Sequence, residues 1–253
     1  MKINASFLLI TVALLIFGCV NSSPPVSEKF VESQPGIEGF DWANDPLNVS
    51  FDNENLNSSI SDDTLGIIKN HLYEYFHGMN TGDSLDFLVH ISHFPTHMFH
   101  DTAMFEQQYK STVHWMEQGF LNRVENCKIN YVSPWIIEES QRVALIGFDI
   151  DYHMDFLPHF PGNPKGMENV VNDRYGRNAS KYTEEYLHYE SGDSVLIRNW
   201  HTHTSTGMFV LSPLDSLHFS FLPQDFNTAP FAHKLMDNET SLELLRLRRE
   251  ETK

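Results

Sequence analysis

Between Arg142 and Phe156 the chain alternates with a period of two. Ala144, Ile146, Phe148, Ile150, Tyr152 and Met154 are apolar, and Asp149, Asp151 and His153 stand between them. Successive side chains of an extended strand point to opposite faces, so this stretch carries one apolar face and one polar face. Such a strand fits an antiparallel sheet packed on one side only, because strands buried on both sides read as continuous apolar runs.

Further strand patterns run over Phe120–Val132, Trp135–Glu138, Lys181–Tyr189, Val195–Thr204, Met208–Leu211 and Leu217–Leu222, with turns at Glu190–Asp193 and Ser212–Ser216. Helical spacing comes earlier. Leu65, Ile68, Leu72, Tyr75 and Met79 follow the capping residues Ser61, Asp62 and Asp63, and the pattern stops between Gly78 and Gly82. A short helix with Leu85, Leu88 and Ile91 opens at Asp83 and ends before Pro95. A third, through Phe105, Tyr109, Val113 and Met116, closes at Gly119. Helices followed by strands imply an α+β fold, with N-terminal helices packed in a strongly curved antiparallel sheet. The Pro/Gly/Asn-rich stretch from Leu157 to Ser180 reads as a lid or a disordered hairpin tip.

The N-terminus has the three parts of an export signal: Lys2, an apolar run from Phe7 to Phe17, and the small residue Gly18. Asn4, Ser6 and Thr11 interrupt the apolar run and Asn21 to Pro25 ends it, which is too short for a spanning helix. Leu15-Ile16-Phe17-Gly18-Cys19 resembles the lipobox of bacterial lipoproteins, with Phe17 bulkier than the usual residue there. The resemblance implies a lipid on Cys19, a membrane partner through that anchor, and a place in the cell envelope; cleavage a few residues later would leave a soluble secreted or periplasmic chain. The expected organisation is a signal at 1–18, a flexible Ser/Pro/Asn-rich spacer at 19–61, an α+β domain at 62–226, and a loop with a charged helix at 227–253.

Asp and Glu number 34 against 17 Lys and Arg, a formal charge of −17. A chain this acidic repels phosphate backbones, which argues against nucleic acid as a partner. Two cysteines, one at the lipobox, leave Cys127 without an intrachain partner, and it reads as a buried strand residue.

The order of elements, with Tyr75-Phe76-His77-Gly78-Met79-Asn80-Thr81-Gly82-Asp83 ending the first helix and Leu217 to Leu222 as the last strand, is similar to the nuclear transport factor two-like cone, which includes ketosteroid isomerase and the SnoaL-like cyclases. The resemblance covers about Asp62 to Leu222 and implies a cone with an inner cavity. The family's isomerases place an Asp base and a Tyr donor in that cavity. Here the strand carboxylates have the opposite parity, and Tyr73 or Tyr75 has no acidic partner that can be named.

Trp115 and Met116 on the third helix, Tyr152 and Met154 on the core face, and Trp200 on a late strand are the candidate ligand-binding residues; the plainer reading is that they fill a core. His90, His93, His97 and His100 cluster, but Pro95 breaks their helix and no ligand pattern is completed, so neither a metal nor another cofactor is expected. His201 and His203 share one strand face, as do Asp149, Asp151, His153 and Asp155 on another. Pairing of those strands would bring them together, either as a metal or acid–base site or as cross-strand pairs on a solvated face. The leading functional reading is a lipid-anchored binding module with a small apolar ligand and no assigned catalysis. The alternatives are an isomerase-, cyclase- or dehydratase-like enzyme with a His or Asp base, and an interaction module that forms a homodimer through its outer sheet face.

Overall fold

The centre of the molecule is formed by three long strands in antiparallel order: β3 (Phe120–Val132), β5 (Gln141–Phe156) and β7 (Ser194–Pro213). This computed structural model describes residues 47–54, 56–80, 93, 110, 112–175, 179–188, 194–224 and 235–251. Beyond β3 lie β1 (Asn48–Phe51) and β2 (Asn57–Ser58), and β4 (Ile136–Ile137) pairs with the start of β5. The far edge of β7 carries β6 (Ser180–His188) along its first half and β8 (Ser220–Pro223) near its end. The sheet is open and the architecture is α+β. The strand patterns at Val195–Thr204 and Met208–Leu211 belong to one strand, because Ser205, Thr206 and Gly207 continue the pairing with Asp149, Phe148 and Gly147. The expected signal, Cys19, and His90, His97 and His100 lie outside the described residues.

The spacer expected over 19–61 gives way to structure earlier than its composition indicates. Residues 48–51 and 57–58 are strands running parallel to β3. Parallel neighbours need a long crossover between them, and helix α1 (Asp62–Asn80) lies in that crossover. Asp52 makes the intervening turn: its amide donates to the Ile129 carbonyl (2.7 Å), and its carboxylate accepts from the Glu54 amide (3.3 Å) and pairs with Lys128 (3.1 Å). A few polar residues with local backbone partners are weak composition signals, which is why the turn reads as linker.

Helix α1 begins where the sequence indicates, with Asp62 and Asp63 in the first turn, where negative charge complements the helix dipole. It lays Leu65, Ile68, Leu72, Phe76 and Met79 on the sheet face made by Cys127, Ile129, Ile146, Phe148 and Ile150. Each such side chain removed from water contributes about 1.5–3 kcal/mol. The even positions of β5 face this core, as the alternation requires.

β3 keeps its apolar residues on that face only by changing phase. Bulges between Val124 and Asn126 and between Ile129 and Tyr131 shift the inward set from Phe120 and Val124 to Cys127 and Ile129, and then to Val132. The extra residue of a bulge re-aims its neighbours, and here Glu125 and Asn130 reach across to β5. Asn80, the last residue of α1, holds the first bulge. Its side-chain amide donates to the Val124 carbonyl (2.6 Å) and accepts from the Val124 amide (2.7 Å), all buried.

The opposite sheet face is divided. Val143, Leu145, Phe209 and Leu211 pack under helix α3 (Asn238–Glu251), whose Leu244 is fully buried among them. The charged tail thus docks on the domain. Gly147 and Gly207 are paired across β5 and β7, and Arg248 of α3 lies over both. A Cβ on Gly147 would meet the guanidinium at 3.0 Å, and one on Gly207 would meet Arg248 and, at 2.5 Å, the Ile146 carbonyl. With both side chains absent, Arg248 donates to the Thr206 carbonyl (2.8 Å) and the Gln224 side chain (2.7 Å).

The stretch from Leu157 to Ser180, expected as a lid or disordered tip, carries a 3-10 turn (Pro164–Met167) and helix α2 (Glu168–Tyr175). Phe160 and Val171 are buried in the main core, with Met167 and Tyr175 packed against it. Gly119 anchors its start: with φ of +84° it ends the preceding helical turn as expected, its amide donating to Met116 (2.9 Å) and its carbonyl accepting from Leu157 (2.8 Å).

Candidate ligand-binding cleft

Trp200 organises one end of the sheet. It sits opposite Met154 on β5 and opposite Tyr182 on β6, and its indole Nε1 donates to the Pro164 carbonyl at 2.7 Å. That bond draws the 3-10 turn against the sheet. The Tyr182 and Trp200 rings lie 5.3 Å apart at 58°, and Tyr152 and Tyr175 make a second ring pair at 6.3 Å. Beneath them Trp115 packs against Phe120 and Phe160.

Helix α2 turns Val171 to the core and its other side to a cleft between it and β6. The cleft has a volume of about 620 Å³ and is lined by Lys165, Glu168, Asn169, Asn172 and Asp173 from the turn and helix, and by Ser180, Lys181, Tyr182 and Trp200 from the strands. Among the described residues, its two lysines balance its two carboxylates, in a chain whose formal charge is −17. The Ser180 hydroxyl lies 3.0 Å from that of Thr202, and the Tyr182 hydroxyl donates to Glu184 at 3.0 Å. Burial, then the bond and charge of Glu184, raise the Tyr182 phenol above its ordinary value, so it stays a neutral donor. Among the described residues, the lining contains neither histidine nor cysteine.

Of the sequence candidates, Trp200 alone borders this cleft. Tyr152 and Met154 lie inside the core with Phe156 and Tyr175 packed around them, and the Tyr152 hydroxyl donates to Asn122. Met116 belongs to a separate cluster with Leu121, Leu157 and Ile197. Tyr75 is fully buried and its phenol is pushed up by burial, while Tyr73 is exposed and stacks on His77. The lysines, amides and carboxylates of the cleft were missed by the sequence reading. The signal for them was the set Lys165, Glu168, Asn169, Asn172 and Asp173, polar residues that surround the buried Val171 in sequence.

The outer-face residues are brought together as strand pairing allows. The register sets Asp151 against His203, His153 against His201, Asp155 against Asn199 and Asp149 against Ser205. His203 Nδ1 is 2.8 Å and His201 Nε2 3.6 Å from the same Asp151 oxygen, and Asn126 donates to the other at 3.1 Å. Burial alone would raise the Asp151 carboxyl, but the bonds from His203 and Asn126 outweigh it and hold the group below the usual range. His153 stacks on His201 at 4.4 Å and meets Glu125 at 3.1 Å. Burial and the charge of Arg123 keep its pKa low, and Arg123 itself pairs with Asp155 at 3.0 Å. These are cross-strand pairs, hydrogen-bonded except at His201 Nε2, whose distance to Asp151 exceeds a hydrogen bond. Among the described residues, no three His, Cys, Asp or Glu side chains are arranged to hold a metal ion. Cys127 is free, fully buried and pushed up by burial, the protonated state of an inert thiol.

No family model matches the chain, and no curated protein or solved structure matches it.

Proposed function

We propose that this protein is an exported binding module, tethered by a lipid on Cys19, that holds an uncharged polar ligand of saccharide type in the cleft between α2 and β6. The cleft carries the reading: an aromatic pair, Tyr182 and Trp200, beside amides, a hydroxyl and compensated charges. Hydroxyl-rich ligands with one apolar face need that combination, since a ring edge or face covers their C–H surface while amide and carboxylate groups take the hydroxyls. The sequence reading favoured an apolar ligand. A polar one fits better, because Tyr152, Met154 and most of Trp200 are buried in the core, so the half-buried Tyr182 supplies the aromatic surface of a cleft that is otherwise open and polar. Helix α1 packed on one face of the sheet is what the cone resemblance implies, and we read the domain as a member of that architecture. Among the described residues, no helix is long and apolar enough to cross a membrane, which accords with attachment through Cys19.

Titration of the intrinsic tryptophan fluorescence with maltotriose, chitotriose and, as charged controls, glucuronate and glucose 6-phosphate tests the ligand class. A neutral sugar should give saturable quenching that Asn172→Ala weakens about tenfold, a loss of about 1.4 kcal/mol. Absence of saturation by every neutral sugar at about 1 mM overturns the ligand reading. The anchor is tested separately: Cys19→Ala should release the chain from membranes and remove the acyl mass.

A further inference from the structure

The geometry points to an acid-released latch, in which His71, while neutral, ties the loop between β7 and β8 to helix α1. His71 projects from α1, His93 lies beside it, and His218 stands in the loop that leads into β8. Their ring centroids form a triangle with sides of 5.4, 5.6 and 5.8 Å, and His93 and His218 stack at 14°. One carboxylate belongs to the group, Glu74, 3.1 Å from His93 Nε2.

The bond that makes this arrangement conditional is the one from the Phe219 amide to His71 Nδ1, at 3.3 Å. A backbone N–H can only donate, so Nδ1 must offer a lone pair. Protonation places a hydrogen there and turns acceptor into donor, leaving two N–H groups facing each other. In β8 the Phe221 amide donates to the His93 carbonyl at 2.7 Å, a backbone bond that does not depend on protonation.

Charge acts in the same direction. Among the described residues, three imidazoles in mutual contact share a single carboxylate, so a second proton leaves that group net positive. The groups that face it are Glu74 from α1, His218 from the loop, and Arg142 from β5, whose guanidinium lies 5.6 Å from the Phe219 ring. Arg142 adds positive charge and offsets none. Burial first, then the neighbouring histidine charges, hold His71 below its ordinary value; burial also lowers His93, against the opposing effects of the Phe219 backbone and Glu74. The neutral, latched form therefore prevails at neutral pH.

The latch restrains an aromatic. Phe219 is fully buried between His71 at 5.7 Å and Trp135, on which it stacks at 5.9 Å and 13°. Beside it Leu214, Leu217 and His218 are already exposed. Release in acid uncovers Phe219 and the face of Trp135 together, adding apolar surface next to Leu217. The bond from Arg142 to the Ser216 carbonyl, 2.8 Å, does not depend on histidine and keeps the loop hinged at its start.

Hydrogen exchange of the full chain at about pH 7.5 and about pH 5.0, corrected for intrinsic rates, tests the latch. Amides of Leu217 to Leu222 should lose roughly tenfold of their protection in acid while those of β3 and β5 keep theirs. His71→Asn retains an acceptor near the Nδ1 position and cannot titrate, so it should abolish most of the acid effect. His218→Asn, on the exposed side, should reduce it by removing one charge. Equal loss of protection across the core strands, no loss in the loop, or an undiminished acid effect in both variants would each overturn the proposal.

Discussion

Asn80→Ala is the substitution whose cost the structure fixes best. The Asn80 amide is the partner of both the N–H and the C=O of Val124, at 2.7 and 2.6 Å, where β3 has slipped out of phase beside its first bulge. Asn80 is 6% exposed and Val124 1%, so water does not replace the lost groups without opening the core. Each buried polar group left unpaired costs about 1–3 kcal/mol, which puts the substitution at roughly 2–6 kcal/mol. Helix propensity favours alanine by less than about 0.7 kcal/mol and does not close that gap. Against a net stability of about 5–15 kcal/mol for a domain, the variant is severely weakened. Urea denaturation followed by tryptophan fluorescence measures it, with exposed Asn70→Ala on the same helix as the control. The midpoint should fall with an unchanged slope, and Asn70→Ala should lie within about 0.5 kcal/mol of the parent. A loss below about 1 kcal/mol for Asn80→Ala would show that Val124 finds other partners and that the bulge is not held from α1.

Stability should also fall in acid. His71, His93 and His153 are held below their ordinary 6.5 in the fold, with burial the leading cause. Above about pH 6.5 both states carry them neutral; below it the unfolded chain takes up protons first, and stability is lost until the folded values are passed. Each unit of depression is worth about 1.4 kcal/mol at a buried ring such as His153, and less at the partly solvated His71; a flat urea midpoint between about pH 7.5 and 5 would contradict this. Gly207→Ala should expel Arg248 and loosen α3, seen as faster exchange of the α3 amides, with Gly147→Ala milder because its Cβ meets only the movable guanidinium. Unchanged α3 protection in Gly207→Ala would show that Leu244 alone docks the helix. Trp200→Phe removes the donor to Pro164, costing about 0.5–1.5 kcal/mol, and should weaken sugar binding more than it weakens the fold. Equal effects on both would mean that the bond positions nothing in the cleft.

The period of two in β5 was legible because it is a local property: each side chain there has one sheet face to choose, and hydrophobicity reports the choice. Helix α1 was legible for the same reason, with a cap, a period and a stop. The phase changes in β3 were not. Glu125 and Asn130 look like ordinary strand polar residues, and only pairing with β5 shows that each absorbs an extra position. β1 and β2 escaped because two to four residues give no period to detect. Residues 164–175 read as loose because their Pro, Gly and Asn content is high, and Met167, Val171 and Tyr175, which dock them beside Phe160, make a four-residue repeat too short to outweigh that composition. The cleft inherits that opacity, since five of its nine described lining residues come from this segment and the other four from β6 and β7.

The outer face of β5 explains why one sheet can carry a docked helix and a histidine–carboxylate network side by side. Along its odd positions the strand runs Val143, Leu145, Gly147, Asp149, Asp151, His153 and Asp155. The two apolar residues lie under α3, the glycine makes room for Arg248 where that helix ends, and the acids begin one step later. A buried guanidinium needs acceptors that do not depend on another charge, and it takes them from the Thr206 carbonyl and the Gln224 amide. Burial lowers the Arg248 pKa from its ordinary value, and Asp149, the first acid past the helix, is among the charges that oppose the shift. Replacing Val143 or Leu145 by aspartate would extend the polar stripe under α3, where no partner waits, whereas replacing Asp151 by leucine would remove the carboxylate shared by His201 and His203. The pattern therefore sets where the C-terminal helix ends on the sheet, and the chemistry at each position follows from which side of Gly147 it occupies.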